Sequence, residues 1–165
     1  MTDSTRAVID VQMRIAEAGT VTARLAYDLM APDLTIAYRG SVGRMPVAAL
    51  NAVLVDLEGL QVTGGTLDTA WVAVDVIDNV ARGRLTVRYH DLALELLDKE
   101  THEQSLGDHL RTFIGANFVL REANPAEPDG DVREGVLERR RSPEVPLAKF
   151  IWETLREGLE ETVGS

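Results

Sequence analysis

The stretch RGRLTVRYHDLALELLDKE, residues 82–100, decides the fold because its apolar residues alternate and then change phase. They occupy odd positions up to Tyr89 and even positions from Leu92 onward. Alternation is typical of a β-strand with one buried face, and a shift of one residue would turn the apolar side chains to the other face. The pattern therefore predicts one long strand in which a β-bulge or sharp bend at His90-Asp91 absorbs the extra residue.

Three earlier segments alternate in the same way and are joined by short turns. They are RAVIDVQMRIA (6–16), TVTARLAYDLM (20–30) and LTIAYRG (34–40). Period-two segments with short connections predict an antiparallel meander that has one apolar and one polar face. The apolar face includes nine residues that could line a ligand site: Ile9, Val11, Met13, Ile15, Val21, Leu25, Tyr27, Leu34 and Ile36.

The pattern changes in the middle of the chain. RMPVAALNAVLVDLEGL (44–60) has apolar residues at helical spacing after a proline suited to a first helical position, which predicts a short helix. LQVTGGTLDTAWVAVDV (60–76) reads as a hairpin with Gly64-Gly65 at its turn. Asp78-Asn79 predicts the turn that leads into the long strand.

The last third of the chain adds two helices and further strands. A helix is predicted over 101–117, followed by an extended segment that ends at Asn124-Pro125. VREGVLERRRS (132–142) predicts a last strand, and PEVPLAKFIWETLREGLEETVGS (143–165) contains an amphipathic helix. We expect one α+β domain over 1–165, a curved antiparallel sheet with about three short helices. Residues 1–98 are mainly β with one helix, and 99–165 supply a helix, strands and the C-terminal helix.

Composition excludes several classes of function. The chain of 165 residues has no cysteine, so thiol catalysis and thiolate metal sites are excluded. Its net charge of −10 disfavours nucleic-acid binding, which needs a basic surface. No segment approaches the roughly 20 apolar residues of a membrane helix, and the N-terminus does not read as a signal peptide. We expect either a cytoplasmic protein or a piece of a longer one.

Candidate catalytic and metal-binding residues have simpler explanations. Of the three histidines, only His102 and His109 could share a helix face, and no third ligand lies at a suitable spacing. Asp68, Asp75 and Asp78 are better explained as turn-forming and edge-protecting acids than as an acid–base or calcium site. Phosphate-binding glycine motifs and the GxSxG motif are absent from the sequence. We therefore predict no catalytic residue, no metal and no cofactor.

Two further features admit both a functional and a structural interpretation. Arg139, Arg140 and Arg141 could contact an anion or a lipid headgroup, but a solvated strand end is the favoured interpretation. The C-terminal helix, with Trp152 beside its apolar stripe, could bind a membrane or a partner. Its acidic polar face would be repelled by anionic lipid, so packing against its own sheet is favoured.

The order of these elements and five short segments carry a family resemblance. The segments are GSVGRMPVAALNAVL (40–54), GLQVTGGTLDTAWVAVDV (59–76), ARGRLTVRYHDLALELLDKE (81–100), FIGANFVLREANP (113–125) and GVLERRRSPEVPLAKFIWETLREGL (135–159). From Gly40 onward the chain resembles the C-terminal region of bacterial AsmA-like envelope proteins, which are related to bridge-like lipid-transfer proteins.

The resemblance implies an antiparallel sheet curled into a trough with an apolar concave face. Proteins of this kind look like conduits for phospholipid, or factors in outer-membrane assembly, which implies a periplasmic or envelope location. Members are long and usually have an N-terminal membrane anchor, so this chain would be the C-terminal portion of a longer architecture. Its partners would then be phospholipid, envelope proteins or the upstream part of such a chain.

The favoured expectation is a non-enzymatic lipid-handling or outer-membrane-assembly domain. In it, the nine apolar residues of the meander contact acyl chains, and Arg139, Arg140 and Arg141 contact a headgroup. The alternative is a ligand-free capping or protein-interaction module whose final helix docks on the sheet or on a neighbouring chain. A hydrolase or metalloenzyme is the least favoured of the three.

Overall fold

The computed structural model describes residues 6–15, 18–58, 60–96 and 121–164, and these form mainly an antiparallel sheet of seven strands. The strands are β1 Arg6–Ile15, β2 Gly19–Asp28, β3 Ile36–Val42, β4 Met45–Pro46, β5 Leu60–Ile77, β6 Val80–Leu96 and β7 Glu134–Arg140. A 3-10 turn, Val47–Leu50, leads into α1 Asn51–Glu58, and the long C-terminal helix α2 is Leu147–Val163. The helix predicted over 101–117 lies outside the described residues.

The strands lie in the order β1-β2-β3-β5-β6-β7, and β4 pairs with β5. The pairing register places apolar residues opposite one another across the whole sheet. Ile9 pairs with Leu25, Leu25 with Tyr38, and Tyr38 with Val74. This confirms the predicted meander and gives the sheet an apolar side, called here the inner face, and a charged side, called the outer face.

The change of phase between Tyr89 and Leu92 is a β-bulge within β6. Thr66 pairs with His90, whereas Gly64 pairs with Ala93, so β6 gains one residue relative to β5 between these pairs. Asp91 adopts a φ of 55°, in the left-handed region that an inserted residue can occupy. The prediction of a bulge at this site is confirmed, and the apolar residues on both sides of it reach the inner face.

The predicted hairpin turn at Gly64-Gly65 is wrong. β5 continues without a break through both glycines, and the turn that ends it lies at Asp78-Asn79, as the sequence predicts. Gly65 has a φ of 115°, and a Cβ there would lie 2.9 Å from the Cα of Leu92. The glycine is therefore required because β5 passes close to the bulge of β6, not because the chain reverses.

Helix α2 lies across the inner face of β6 and β7. It approaches closely because two glycines meet there: a Cβ on Gly135 would lie 2.3 Å from the carbonyl oxygen of Gly158. Phe150 of α2 is buried against the sheet. Arg139, on the inner face of β7, forms ion pairs with Glu153 and Glu157 of α2. Beneath α2 the inner face is a filled hydrophobic core.

Candidate functional site

Helix α2 covers only part of the inner face, and in the described part of the chain an apolar groove lies beside it. Its volume is about 370 Å³. Strands β2, β3, β5 and β6 form the floor, α2 forms one wall, and the 3-10 turn before α1 contributes to the other. The lining includes Val21, Leu25, Val42, Val72, Ile151 and Leu155.

A second cavity of about 170 Å³ continues the first between the 3-10 turn, α1 and the C-terminal half of α2. The two cavities share Leu50, Val87, Trp152 and Leu159. They therefore form one continuous depression, called here the apolar groove. Since its lining is almost wholly apolar, the groove would bind a ligand by removing the ligand's hydrocarbon from water.

Side-chain hydrogen bonds hold the walls of the groove in place. Asn51, at the start of α1, donates to the carbonyl oxygen of Val62 at 2.9 Å and accepts from its N–H at 2.8 Å. The hydroxyl of Tyr89 lies 3.2 Å from the carbonyl oxygen of Thr162 near the end of α2, and at the same distance from that of Arg121. Both walls are thereby attached to the central strands β5 and β6.

Asn124 is a structural residue that sequence reasoning missed. It is buried, and its amide donates to the carbonyl oxygens of Val87 at 2.7 Å and of Arg133 at 2.9 Å. Its carbonyl oxygen accepts from the N–H of Arg133 at 2.8 Å. The Asn124-Pro125 pair indicates only the end of an extended segment, so the sequence gives no sign that the Asn124 side chain is buried.

The structure places the nine predicted lipid-contacting residues in different surroundings. Only Val21 and Leu25 line the groove. Ile36 is buried in the core, whereas Ile9 and Met13 of β1 are 56% and 50% exposed. Val11, Ile15, Tyr27 and Leu34 are half-buried. The inner face thus passes from filled core under α2, through the groove, to an exposed apolar margin at β1.

The sequence does not predict a ligand contact for the other residues that line the groove. Val72 and Val87 were interpreted as strand residues, and Ile151 and Leu155 as part of the stripe that packs α2 on the sheet. Their apolar character was visible in the sequence. Val72, Ile151 and Leu155 are half-buried and Val87 is buried, and this burial depends on where α2 crosses the sheet, which the sequence pattern does not specify.

The three consecutive arginines do not form one patch. Arg139 is engaged by Glu153 and Glu157 beneath α2. Arg140 is exposed at the end of β7, and Arg141 donates to the carbonyl oxygen of Val145 at 2.9 Å. Two of the three guanidinium groups are thus occupied by partners within the protein.

Charged side chains lie mainly on the outer face. There Arg24 pairs with Asp10 at 2.6 Å, and Arg39 pairs with Asp75 at 2.8 Å. The side-chain hydrogen bond to Arg24 holds the pKa of Asp10 below its usual range. On the inner face, burial raises the pKa of Tyr38 and of Tyr89 to about 12 each.

Only some of the candidate metal and catalytic residues lie in the described part of the chain. Within the described ranges there is no group of three or more histidine or acidic side chains that could hold a metal ion. His90 lies 2.8 Å from the carboxylate of Asp91 and 3.7 Å from that of Asp68. His102 and His109 lie outside the described residues. None of the described helices is long and apolar enough to cross a membrane.

Comparison with known proteins gives no relative: no family model, no curated protein and no solved structure matches this chain. The functional argument therefore depends on the groove and on the family resemblance of the sequence.

Proposed function

We propose that this protein is a non-enzymatic lipid-handling domain whose apolar groove shields an acyl chain of a phospholipid from water. The observation that carries the proposal is the groove itself, about 370 Å³ with a continuation of about 170 Å³ and an almost wholly apolar lining. Ligand pockets commonly have volumes of about 300–1,000 Å³. The size of this groove fits one acyl chain better than a complete phospholipid.

Burial of hydrocarbon is the favourable contribution to the free energy of binding in this groove. Each methylene group removed from water contributes about 0.8 kcal/mol, so about eight methylenes contribute about 6 kcal/mol. That corresponds to a dissociation constant on the order of tens of micromolar before the cost of association. Because association itself costs at least about 4 kcal/mol, burial of this much hydrocarbon supports only weak, reversible binding, and a tighter complex needs further apolar contact.

The exposed apolar margin of β1 extends the surface available to the ligand. Ile9 and Met13 lie on the same face as the groove and are more exposed than the residues under α2. A second acyl chain could lie along this margin. A role in phospholipid transport or outer-membrane assembly, and a location in the cell envelope, follow from the AsmA-like resemblance and belong to the same proposal.

The first experiment is native mass spectrometry of protein purified without detergent, followed by lipid extraction. We expect phospholipid to copurify near one-to-one. A variant that fills the groove, Ala70→Phe, should lose most of the lipid because Ala70 lines the groove. The matched control is Ala73→Phe on the same strand, which pairs with Arg39 on the outer face and should retain lipid. A lipid-free wild type that takes up no added lipid would contradict the proposal.

The two tryptophans allow the binding site to be located. Trp152 lines both parts of the groove. Trp71 borders the larger part, but it is an outer-face position that pairs with Ser41 and Thr86, so its indole lies on the opposite side of the sheet. A nitroxide-labelled acyl chain should therefore quench fluorescence strongly in Trp71→Phe, which retains Trp152. Quenching should be weak in Trp152→Phe, and equal quenching of both variants would place the lipid elsewhere.

The second candidate is a ligand-free capping or protein-interaction module. It is favoured by the filled part of the inner face, where Val74, Val76 and Phe150 are almost completely buried, as in an ordinary core. In this case the groove would be closed by protein in the functional state. A protein with no lipid by mass spectrometry and no fluorescence quenching would support this candidate.

A further inference from the structure

We propose that the free edge of β1 is an interaction surface and that its partner is β1 of a second copy of this chain, paired antiparallel. The proposal depends on backbone pairing and charge, not on lipid, so it is independent of the proposed function. In the described part of the chain, β1 pairs with β2 alone and ends the sheet on that side.

The opposite edge of the sheet is occupied. The backbone N–H of Val136 in β7 donates to the carboxylate of Glu161 at 2.8 Å. Arg133, just before β7, donates to the carbonyl oxygen of Gly164 at 2.9 Å, beyond the end of α2. These contacts tie β7 to α2, and a carboxylate takes up an N–H that a further strand could otherwise bind.

Strand β1 lacks most of the features that usually prevent pairing at a free edge, and its charged residues are of both signs. Its ten residues, RAVIDVQMRI, contain no proline, no glycine and no lysine, and apolar and polar residues alternate without interruption from Ile9 to Ile15. Its inner-face positions are all apolar, so no charge points inward. Natural edge strands are usually short, bulged, charged inward or covered. A regular exposed edge of this length is a template for another strand.

The charges on β1 select one arrangement of two copies. When Gln12 lies opposite Gln12 of the second copy, Asp10 lies opposite Arg14, and the same pair recurs on the other side of the two-fold axis. Opposite charges directly across an antiparallel pair are favourable. Centring the axis on Asp10 instead would oppose two aspartates and would also oppose Arg6 with Arg14, which is unfavourable.

The same arrangement also matches the apolar face. Val11 lies opposite Met13 and Ile9 opposite Ile15, so apolar residues pair only with apolar residues. The two-fold axis is perpendicular to the sheet, and the inner faces of both copies lie on one side. The exposed margins that contain Ile9 and Met13 then join into one apolar surface across the dimer.

The test uses sedimentation velocity and native mass spectrometry of the full chain at about 0.15 M salt, where long-range repulsion between acidic copies is screened. We expect wild-type protein to dimerise at about 100 µM. Asp10→Arg and Arg14→Asp should each weaken dimerisation about tenfold or more, because each opposes like charges twice. Mixing the two variants should restore the dimer as a heterodimer, since both pairs then carry opposite charges.

Two controls separate pairing from other effects. Arg24→Gln removes the ion pair within one copy between Arg24 and Asp10 but leaves β1 unchanged, so the dimer should persist. Arg6→Asp changes a charge on β1 outside the paired stretch and should also leave the dimer intact. A monomeric wild type would overturn the proposal. The proposal would also be overturned if neither Asp10→Arg nor Arg14→Asp weakened the dimer, or if mixing these two variants failed to restore it.

Discussion

The side chain of Asn124 satisfies three backbone groups within the protein, the carbonyl oxygens of Val87 and Arg133 and the N–H of Arg133. We expect Asn124→Ala to lower the free energy of unfolding by about 3 kcal/mol, because buried donors and acceptors lose their partner. Urea denaturation followed by circular dichroism measures this change. Gln12→Ala, at an exposed position on the outer face, is the control and should change stability by less than about 0.5 kcal/mol. Equal effects of the two substitutions would contradict the assigned role.

Two buried tyrosines predict a loss of stability at alkaline pH. Burial raises the pKa of Tyr38 and of Tyr89 from 10.0 to about 12, so the folded protein holds these phenolic protons more tightly than the unfolded chain does. Their stabilising contribution is therefore complete below about pH 10 and is lost as the pH rises to about 12. We expect the urea midpoint to fall across this range, and to fall less steeply in Tyr38→Phe. Identical slopes would show that Tyr38 is not one of the groups responsible.

At the scale of the element, the bulge in β6 makes a prediction about Asp91. Its φ of 55° costs little for glycine but is strained for a β-branched residue. We expect Asp91→Val to destabilise the protein by about 1–2 kcal/mol and Asp91→Gly to be neutral or slightly stabilising. Because the side chain of Asp91 is 88% exposed, lost packing cannot explain a difference between the two variants. Thermal denaturation of both variants is the measurement, and equal melting temperatures would contradict the bulge.

The contact between α2 and β7 gives a second prediction at this scale. A Cβ at Gly135 would lie 2.3 Å from a backbone oxygen of α2, and a backbone atom cannot move aside as a flexible side chain can. We expect Gly135→Ala to cost about 1–3 kcal/mol by overpacking. At Gly43, a Cβ would meet no atom closer than 3.7 Å, so Gly43→Ala is the matched control and should have little effect. Denaturant midpoints decide between these outcomes.

The same elements show which parts of the fold could be predicted from the sequence. Alternation is a local property, so β1 to β3 and the bulge at Asp91 were predicted correctly. The prediction of a turn at Gly64-Gly65 was wrong because adjacent glycines occur both at chain reversals and where two strands approach closely. Only the position of the partner strand distinguishes the two cases. The groove was predicted in part, through Val21 and Leu25. Its α2 wall depends on the close contact of Gly135 with Gly158, which joins distant parts of the chain.

At the scale of the whole molecule, the inner face should divide into a part that stabilises the fold and a part that binds. Val21 and Val42 pair with each other and line the groove, whereas Val74 is completely buried in the hydrophobic core. Threonine has nearly the shape of valine but adds a hydroxyl group, which costs about 1–3 kcal/mol when it is buried without a partner. The double variant Val21→Thr/Val42→Thr should therefore lose less than about 1 kcal/mol of stability, while Val74→Thr should lose more.

Lipid binding should show the opposite order. The double variant places two hydroxyl groups against the acyl chain, so its affinity for a labelled phospholipid should fall about tenfold or more, whereas Val74→Thr should bind as the wild type does once folded. The measurement is urea denaturation and lipid titration of the same three proteins. If the double variant instead loses as much stability as Val74→Thr, the groove is closed by protein in the folded state. The lipid-handling proposal would then give way to the capping module, because a surface already buried by protein has no hydrocarbon-binding capacity left to offer.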